Sequence, residues 1–161
     1  MTYNSKRTIA SMAVGVILFI AYIIYALSKP SPTTESLASW AITMLVFIGI
    51  GVAGLIVVQV LFHIAFAIGI AVKEQHRSDK DVERIISASV VEDERDKQIN
   101  MKASHIGYII VGMGFMAALV ALALESSAVV ALHILFAAFF TGSFVEGAVG
   151  VYLHERGFHH G

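Results

Sequence analysis

The sequence predicts an all-α membrane protein, a four-helix transmembrane bundle with helical cytoplasmic extensions of helices 2 and 3. Three observations predict it. The chain of 161 residues is 57% hydrophobic and only 14% charged, against about 25% charged residues in an ordinary soluble domain, and its mean hydropathy is +0.78. Four apolar stretches, residues 8–27, 37–72, 104–124 and 128–153, each meet the roughly 20 residues that cross a hydrocarbon core of about 30 Å. Ten of the eleven basic residues fall on one side of the alternation these stretches define, which is the bias that orients membrane helices.

Helices rather than strands follow from the solvent. Backbone groups in lipid must satisfy one another, so a long apolar run folds as a helix, and the short alternating segments of a barrel are missing here. Helix 1 follows Lys6 and Arg7. At residues 8–27 it exceeds the roughly 7–15 residues of a signal-peptide core, and no Ala-x-Ala site closes it, so it reads as a retained membrane helix. The connection Lys29-Pro30-Ser31-Pro32-Thr33-Thr34-Glu35-Ser36 contains both prolines and ends the helix sharply. Tyr22, Tyr25 and Trp40 flank it, where amphipathic rings suit a membrane interface.

Helix 2, residues 37–72, is longer than a membrane is thick: at 1.5 Å per residue it reaches roughly 54 Å. It must tilt, bend near Gly49, Gly51 and Gly54, or project, and the helix-compatible charged sequence from Lys73 onward favours projection. Residues 73–103 then form a cytoplasmic platform. Val82, Ile85 and Ile86 give it one apolar edge, and Ser89-Val90-Val91-Glu92 is a capping box that starts helix 3 near Val90. No glycine or proline interrupts the chain from there to Gly107, so helix 3 stands about three turns proud of the membrane. Glu125-Ser126-Ser127 turns it into helix 4, making these two helices antiparallel neighbours. The chain is thus a single integral membrane domain with both termini and the platform in the cytoplasm, in the inner (cytoplasmic) cell membrane.

Composition also excludes. A net charge of -1 gives no electrostatic case for nucleic acid. The absence of cysteine removes disulfides and thiolate metal sites. No nucleophile elbow, Walker loop or His-Glu-x-x-His motif occurs, and Gly49-x-Gly51-x-x-Gly54 lacks the strand that a dinucleotide fingerprint requires. The expectation is a protein that is not an enzyme and holds no metal or cofactor.

Charge is densest at Glu92, Asp93, Glu94, Arg95, Asp96, Lys97 and Lys102. Asp93 is spaced to meet Lys97, and Arg95 to meet Glu92 or Glu94, so the run reads as a solvated or partner-facing stem. Asp93-Glu94-Arg95-Asp96, Ile99 and Lys102-Ala103 at the mouth of a membrane helix resemble a family of small uncharacterised prokaryotic four-helix membrane proteins, of domain-of-unknown-function type. The resemblance spans about eleven residues and the hairpin layout, and implies a four-helix membrane fold and pairing with a small transcriptional regulator. It brings no catalytic residues.

Within the membrane, Glu146 is the ionisable group of helix 4. It lies roughly 27 Å from the helix start, near the inner edge of the core. An intramembrane carboxylate is a functional candidate by default, although one near the boundary can also reach water. Gln59, His63 and His105 are expected at similar depth and would form an intramembrane polar cluster with it, for packing, for proton sensing or as a metal set. His133 lies on the opposite side, too far away for a haem held by two histidines, and His154, His159 and His160 read as a solvated tail.

Gly49, Gly51 and Gly54 of helix 2, with Gly142, Gly147 and Gly150 of helix 4, are expected to let helices approach closely. The same stripes suggest a homodimer. The leading functional expectation is a membrane anchor or sensor whose platform engages a cytoplasmic regulatory protein. The alternative is a small oligomeric proton-coupled transporter using Glu146.

Overall fold

The computed structural model describes residues 3–29, 36–73 and 94–156. These form four helices and no strand: α1 (Tyr3–Ser28), α2 (Leu37–Lys73), α3 (Glu94–Ala123) and α4 (Ala128–Arg156). Each contains a span long and apolar enough to cross a membrane. The chain is an all-α, multi-pass membrane protein. The expected amphipathic edge at Val82, Ile85 and Ile86 and the Ser89–Glu92 capping box lie outside the described residues.

The helices pack in the order α2, α1, α4, α3, with a lesser contact between α2 and α4. Among the described residues α2 does not touch α3, nor α1 α3, so the bundle is open along one side. Aromatic and small residues mark the direction of the chain. Tyr22 and Tyr25 near the end of α1 meet Trp40 and Phe47 near the start of α2 and His133 and Phe136 near the start of α4. Met12 near the start of α1 meets Gly147 near the end of α4. Neighbouring helices are therefore antiparallel, with both short connections at one end of the bundle.

The α3–α4 contact is the most extensive, and its sequence explains why. Gly107, Val111 and Gly114 of α3 face Gly142 and Ala138 of α4. A β-carbon on Gly142 would stand 3.0 Å from the Gly107 carbonyl, and one on Gly107 would stand 3.2 Å from the Gly142 carbonyl. Each glycine thus points a Cα hydrogen at the other's carbonyl oxygen, the reciprocal contact that small residues permit between membrane helices. Gly114 meets Ala138 so closely that any β-carbon there would collide with it.

The connection is as tight as the seam. Ser126 N–H donates to the Ala121 carbonyl and Glu125 N–H to the Leu122 carbonyl, both at 3.0 Å. This is a Schellman closure, and its left-handed position is held by Glu125 at φ 61°, where glycine is the usual occupant. Ser127 then caps α4, its Oγ accepting from Val130 N–H at 3.4 Å, as Ser36 caps α2 by accepting from Ser39 N–H at 3.2 Å.

At the same end, Trp40 is wholly buried and Tyr22 is 4% exposed. Tyr22 and Phe136 rings lie 4.3 Å apart, and Trp40 and His133 4.6 Å apart edge to face, geometries that add to their burial. The rings expected to lie singly along an interface instead make one plug that joins α1, α2 and α4. His133 Nδ1–H donates to the Val129 carbonyl at 2.7 Å. Its Nε2 and the Tyr22 hydroxyl are enclosed without a hydrogen-bond partner among the described residues.

α2 is a single helix of 37 residues, consistent in length with a span that runs past a membrane boundary. Of its three glycines, Gly51 and Gly54 face Leu18 and Val14 of α1, whereas Gly49 has nothing within 4 Å of its β position. Gly49 therefore does not pack a helix within this chain, which corrects the expectation for that residue.

Candidate functional site

Below the aromatic plug α1 stays against α4 at Phe19–Phe140 and Met12–Gly147, and beside this contact α1, α2 and α4 border a cleft of about 790 Å³. The reason is local. Where α3 and α4 have glycine facing glycine, α1 presents Val14, Leu18 and Phe19 to the gap, and α2 presents Phe47 and Leu55. Bulky side chains hold helices apart, and the volume left between them is walled by apolar groups. Phe19 and Phe140 stack beside it with centroids 5.0 Å apart. Its rim, with Val16, Ile20, Val52 and Phe139, is exposed and apolar, so in a bilayer the cleft opens towards lipid.

Polar groups gather at the end nearer the termini. Glu146 enters from α4, with Ser143 beside it, Gln59 from α2, Thr8 and Ser11 from α1, and Asn100 from α3. Glu146 is partly buried. The Ser104 hydroxyl donates to its Oε1 at 2.5 Å, and its Oε2 lies beside Gly107, 3.2 Å from where a β-carbon would stand. A β-carbon at Gly107 would crowd the carboxyl group, and the serine hydroxyl orients it. Among the described residues no lysine or arginine lines the cleft, and His154, which does, is directed to Asp96.

The expected cluster assembles in part. Gln59 and Glu146 share the cleft, but His63 and His105 do not line it and both are exposed. His63 belongs to α2, which does not reach α3. His105 is one residue past the position that faces α4, and a step of about 100° turns it away, so Ser104 takes the place expected of it. Among the described residues no group of three or more His, Asp or Glu side chains is placed to hold a metal ion.

Asp96 and His154 close the same end of the seam. His154 Nδ1 is 3.4 Å from Asp96 Oδ1, and its side chain is only 7% exposed. The histidine read as part of a solvated tail is instead a packing residue, because α4 continues to Arg156 and carries it onto the start of α3. Lys97 pairs with Glu94 at 3.6 Å, one turn along the helix; the pairing with Asp93 that its spacing suggests falls outside the described residues. Glu92 and Asp93 lie outside the described residues, as does the side chain of Arg95; Lys102 is exposed.

The helix-packing glycines divide by partner. Gly142 serves α3, as described. Gly147 serves α1, where a β-carbon would come within 2.7 Å of Met12 Cγ and Sδ. Gly150 sits over Ala103, 3.9 Å from its β-carbon. Gly107, Gly114 and Ser104 are the site and seam residues that sequence reasoning missed. A signal for two of them existed: Gly107, Val111 and Gly114 continue the line of Ile99 and Ala103 at helical spacing. No protein-family model, curated protein or solved structure matches the chain, so the cleft and the seam have to be read from their own chemistry.

Proposed function

We propose that this protein is a membrane anchor or sensor, without enzymatic activity, that engages a cytoplasmic protein through the segment after α2 and the stem of α3. One observation carries the reading. α3 passes without a break from the charged stem, residues 94–103, into its apolar span, and the inner edge of that stem is locked into the bundle. Ile99 is wholly buried, Ala103 is 3% exposed, and Asp96 is held by His154. Glu94, Lys97, Gln98 and Lys102 are exposed. A charged edge carried on a rigid support presents a fixed pattern to a soluble partner. A flexible tether of the same composition would lose more entropy on binding.

The reading needs the stem to face the cytoplasm, and the basic residues supply that orientation. Lys6 and Arg7, the segment from Lys73 to Lys102, and Arg156 lie at the termini end, and Lys29 alone at the other. The chain contains no cysteine, so single cysteines report their side without background. Cysteine at Gln98 should be labelled by an impermeant maleimide only after the cytoplasmic face is opened. Labelling of intact cells would overturn the orientation and the proposal with it. A photocrosslinking side chain at Gln98 should then yield a discrete adduct with a soluble protein. Reversing the charges of Glu92, Glu94 and Asp96 should abolish that adduct.

A second reading, a small oligomeric proton-coupled transporter, is favoured by the cleft and its carboxylate. It requires that Glu146→Gln abolish substrate-dependent proton movement in liposomes while leaving the stem adduct intact.

A further inference from the structure

The stem accounts for none of the chemistry inside the bundle. We propose that the cleft between α1, α2 and α4 is a binding site for a lipophilic monocation. Such a molecule carries one quaternary or delocalised positive charge on an apolar aromatic or alkyl body. The body lies between the helices and the charge against Glu146.

Four features specify this occupant. The volume, about 790 Å³, is that of sites that enclose a small organic molecule, roughly 300–1,000 Å³. The walls are apolar and include the rings of Phe19, Phe47, Phe140 and Phe144, whose faces attract cations and exclude anions. Glu146 is the carboxylate of the lining, no lysine or arginine is among the described lining residues, His154 there is directed to Asp96, and Ser104 holds the Glu146 Oε1 at 2.5 Å. A carboxylate oriented in advance and facing an apolar space lacks a cationic counterpart there, which a ligand can supply. Finally, the exposed apolar rim opens sideways, which admits a molecule that partitions into the bilayer. A strongly hydrated cation such as a metal ion would find only one carboxylate among the described lining residues. A neutral acyl chain would leave Glu146 uncompensated.

The test uses the full chain in lipid nanodiscs, with tetraphenylphosphonium as cation and tetraphenylborate as the anion of matching shape. Tetraphenylphosphonium should bind saturably at one site per chain, and tetraphenylborate should not displace it. Glu146→Gln should weaken binding by roughly tenfold or more, the loss of about 1.4 kcal/mol of charge pairing. Gly15→Leu is the steric counterpart. Gly15 lines the cleft and has nothing within 4 Å of its β position, so leucine fills the space without a clash and should also abolish binding.

Equal binding of the two ions would overturn the proposal by showing an apolar groove indifferent to charge, as for a lipid chain. So would unchanged affinity in Glu146→Gln. A fall in oligomeric mass on Gly15→Leu, with no binding by the wild type, would assign the cleft to a second copy of the chain. The proposal is separable from the anchor reading: reversing Glu94 and Lys97 should leave tetraphenylphosphonium affinity unchanged, whatever it does to the stem adduct.

Discussion

The two hairpins of this protein are built from similarly apolar helices, yet they pack by opposite rules. In α3–α4, Gly107, Gly114, Ala138 and Gly142 bring the backbones into contact, and the connection closes in a hydrogen-bonded Schellman turn. In α1–α2 the contact is thinner. Its glycines meet side chains, Leu18 at 3.4 Å and Val14 at 3.2 Å, and bulky residues line the gap between α2 and α4. Apolar residues gain little by leaving lipid for one another, so helix association in a membrane rests on close packing and hydrogen bonds. The hairpin with small residues becomes a rigid wall. The one whose glycines meet side chains borders a cleft, and the carboxylate sits where wall and cleft meet.

The largest effect should come from spoiling the wall. Gly114→Leu places a side chain where Ala138 already stands and must force α3 from α4. Overpacking typically costs about 1–3 kcal/mol, and because backbone rather than a side-chain tip has to move here, about 3 kcal/mol or more is expected. Gly49→Leu is the matched control. That position is open, and the change should stay within about 0.5 kcal/mol. Unfolding in mixed micelles measures both, and equal losses would mean that the seam is not what holds the bundle.

Next comes the junction itself. Ser104→Ala removes the donor to Glu146 Oε1 and should lower stability by about 1–3 kcal/mol, the usual cost of leaving a buried hydrogen-bonding group without its partner. Ser104→Thr, which keeps the hydroxyl, should restore most of it. A loss in Ala that Thr fails to recover would point to packing alone.

The smallest change should go the other way. Tyr22 is 4% exposed and its hydroxyl has no partner among the described residues, so Tyr22→Phe deletes an unsatisfied buried group while keeping the ring stacked on Phe136. A gain of about 1 kcal/mol is expected. Destabilisation would show that the hydroxyl makes a hydrogen bond in the membrane.

Individual residues show how far sequence reasoning reaches. Glu146 was legible because an ionisable group in an apolar helix is costly wherever it is placed. Gln59 was legible as a depth, and it does line the same cleft. His105 was misassigned for the reason that Ser104 was missed: depth along a helix follows from counting, but the face of the helix depends on which neighbour it meets. One residue of error is about 100° of rotation. His154 was read as tail because it is spaced irregularly with His159 and His160 at the end of the sequence, whereas α4 continues through Arg156 and delivers it to Asp96. Gly49 and Gly51 look alike in sequence, two positions apart, yet only Gly51 faces α1.

The amino-acid order alone determined that the chain is four membrane-length helices, because lipid leaves a long apolar segment one way to satisfy its backbone. It also determined where those helices break, since the prolines of residues 30–32 and the serines that cap α2 and α4 act locally. Tertiary structure decided the rest: which helices are neighbours, that α2 and α3 stay apart, and that an apolar cleft ends on Glu146. Those outcomes depend on how small and large side chains on separate helices fit against each other. That fit is a property of pairs, which no single stretch of sequence carries.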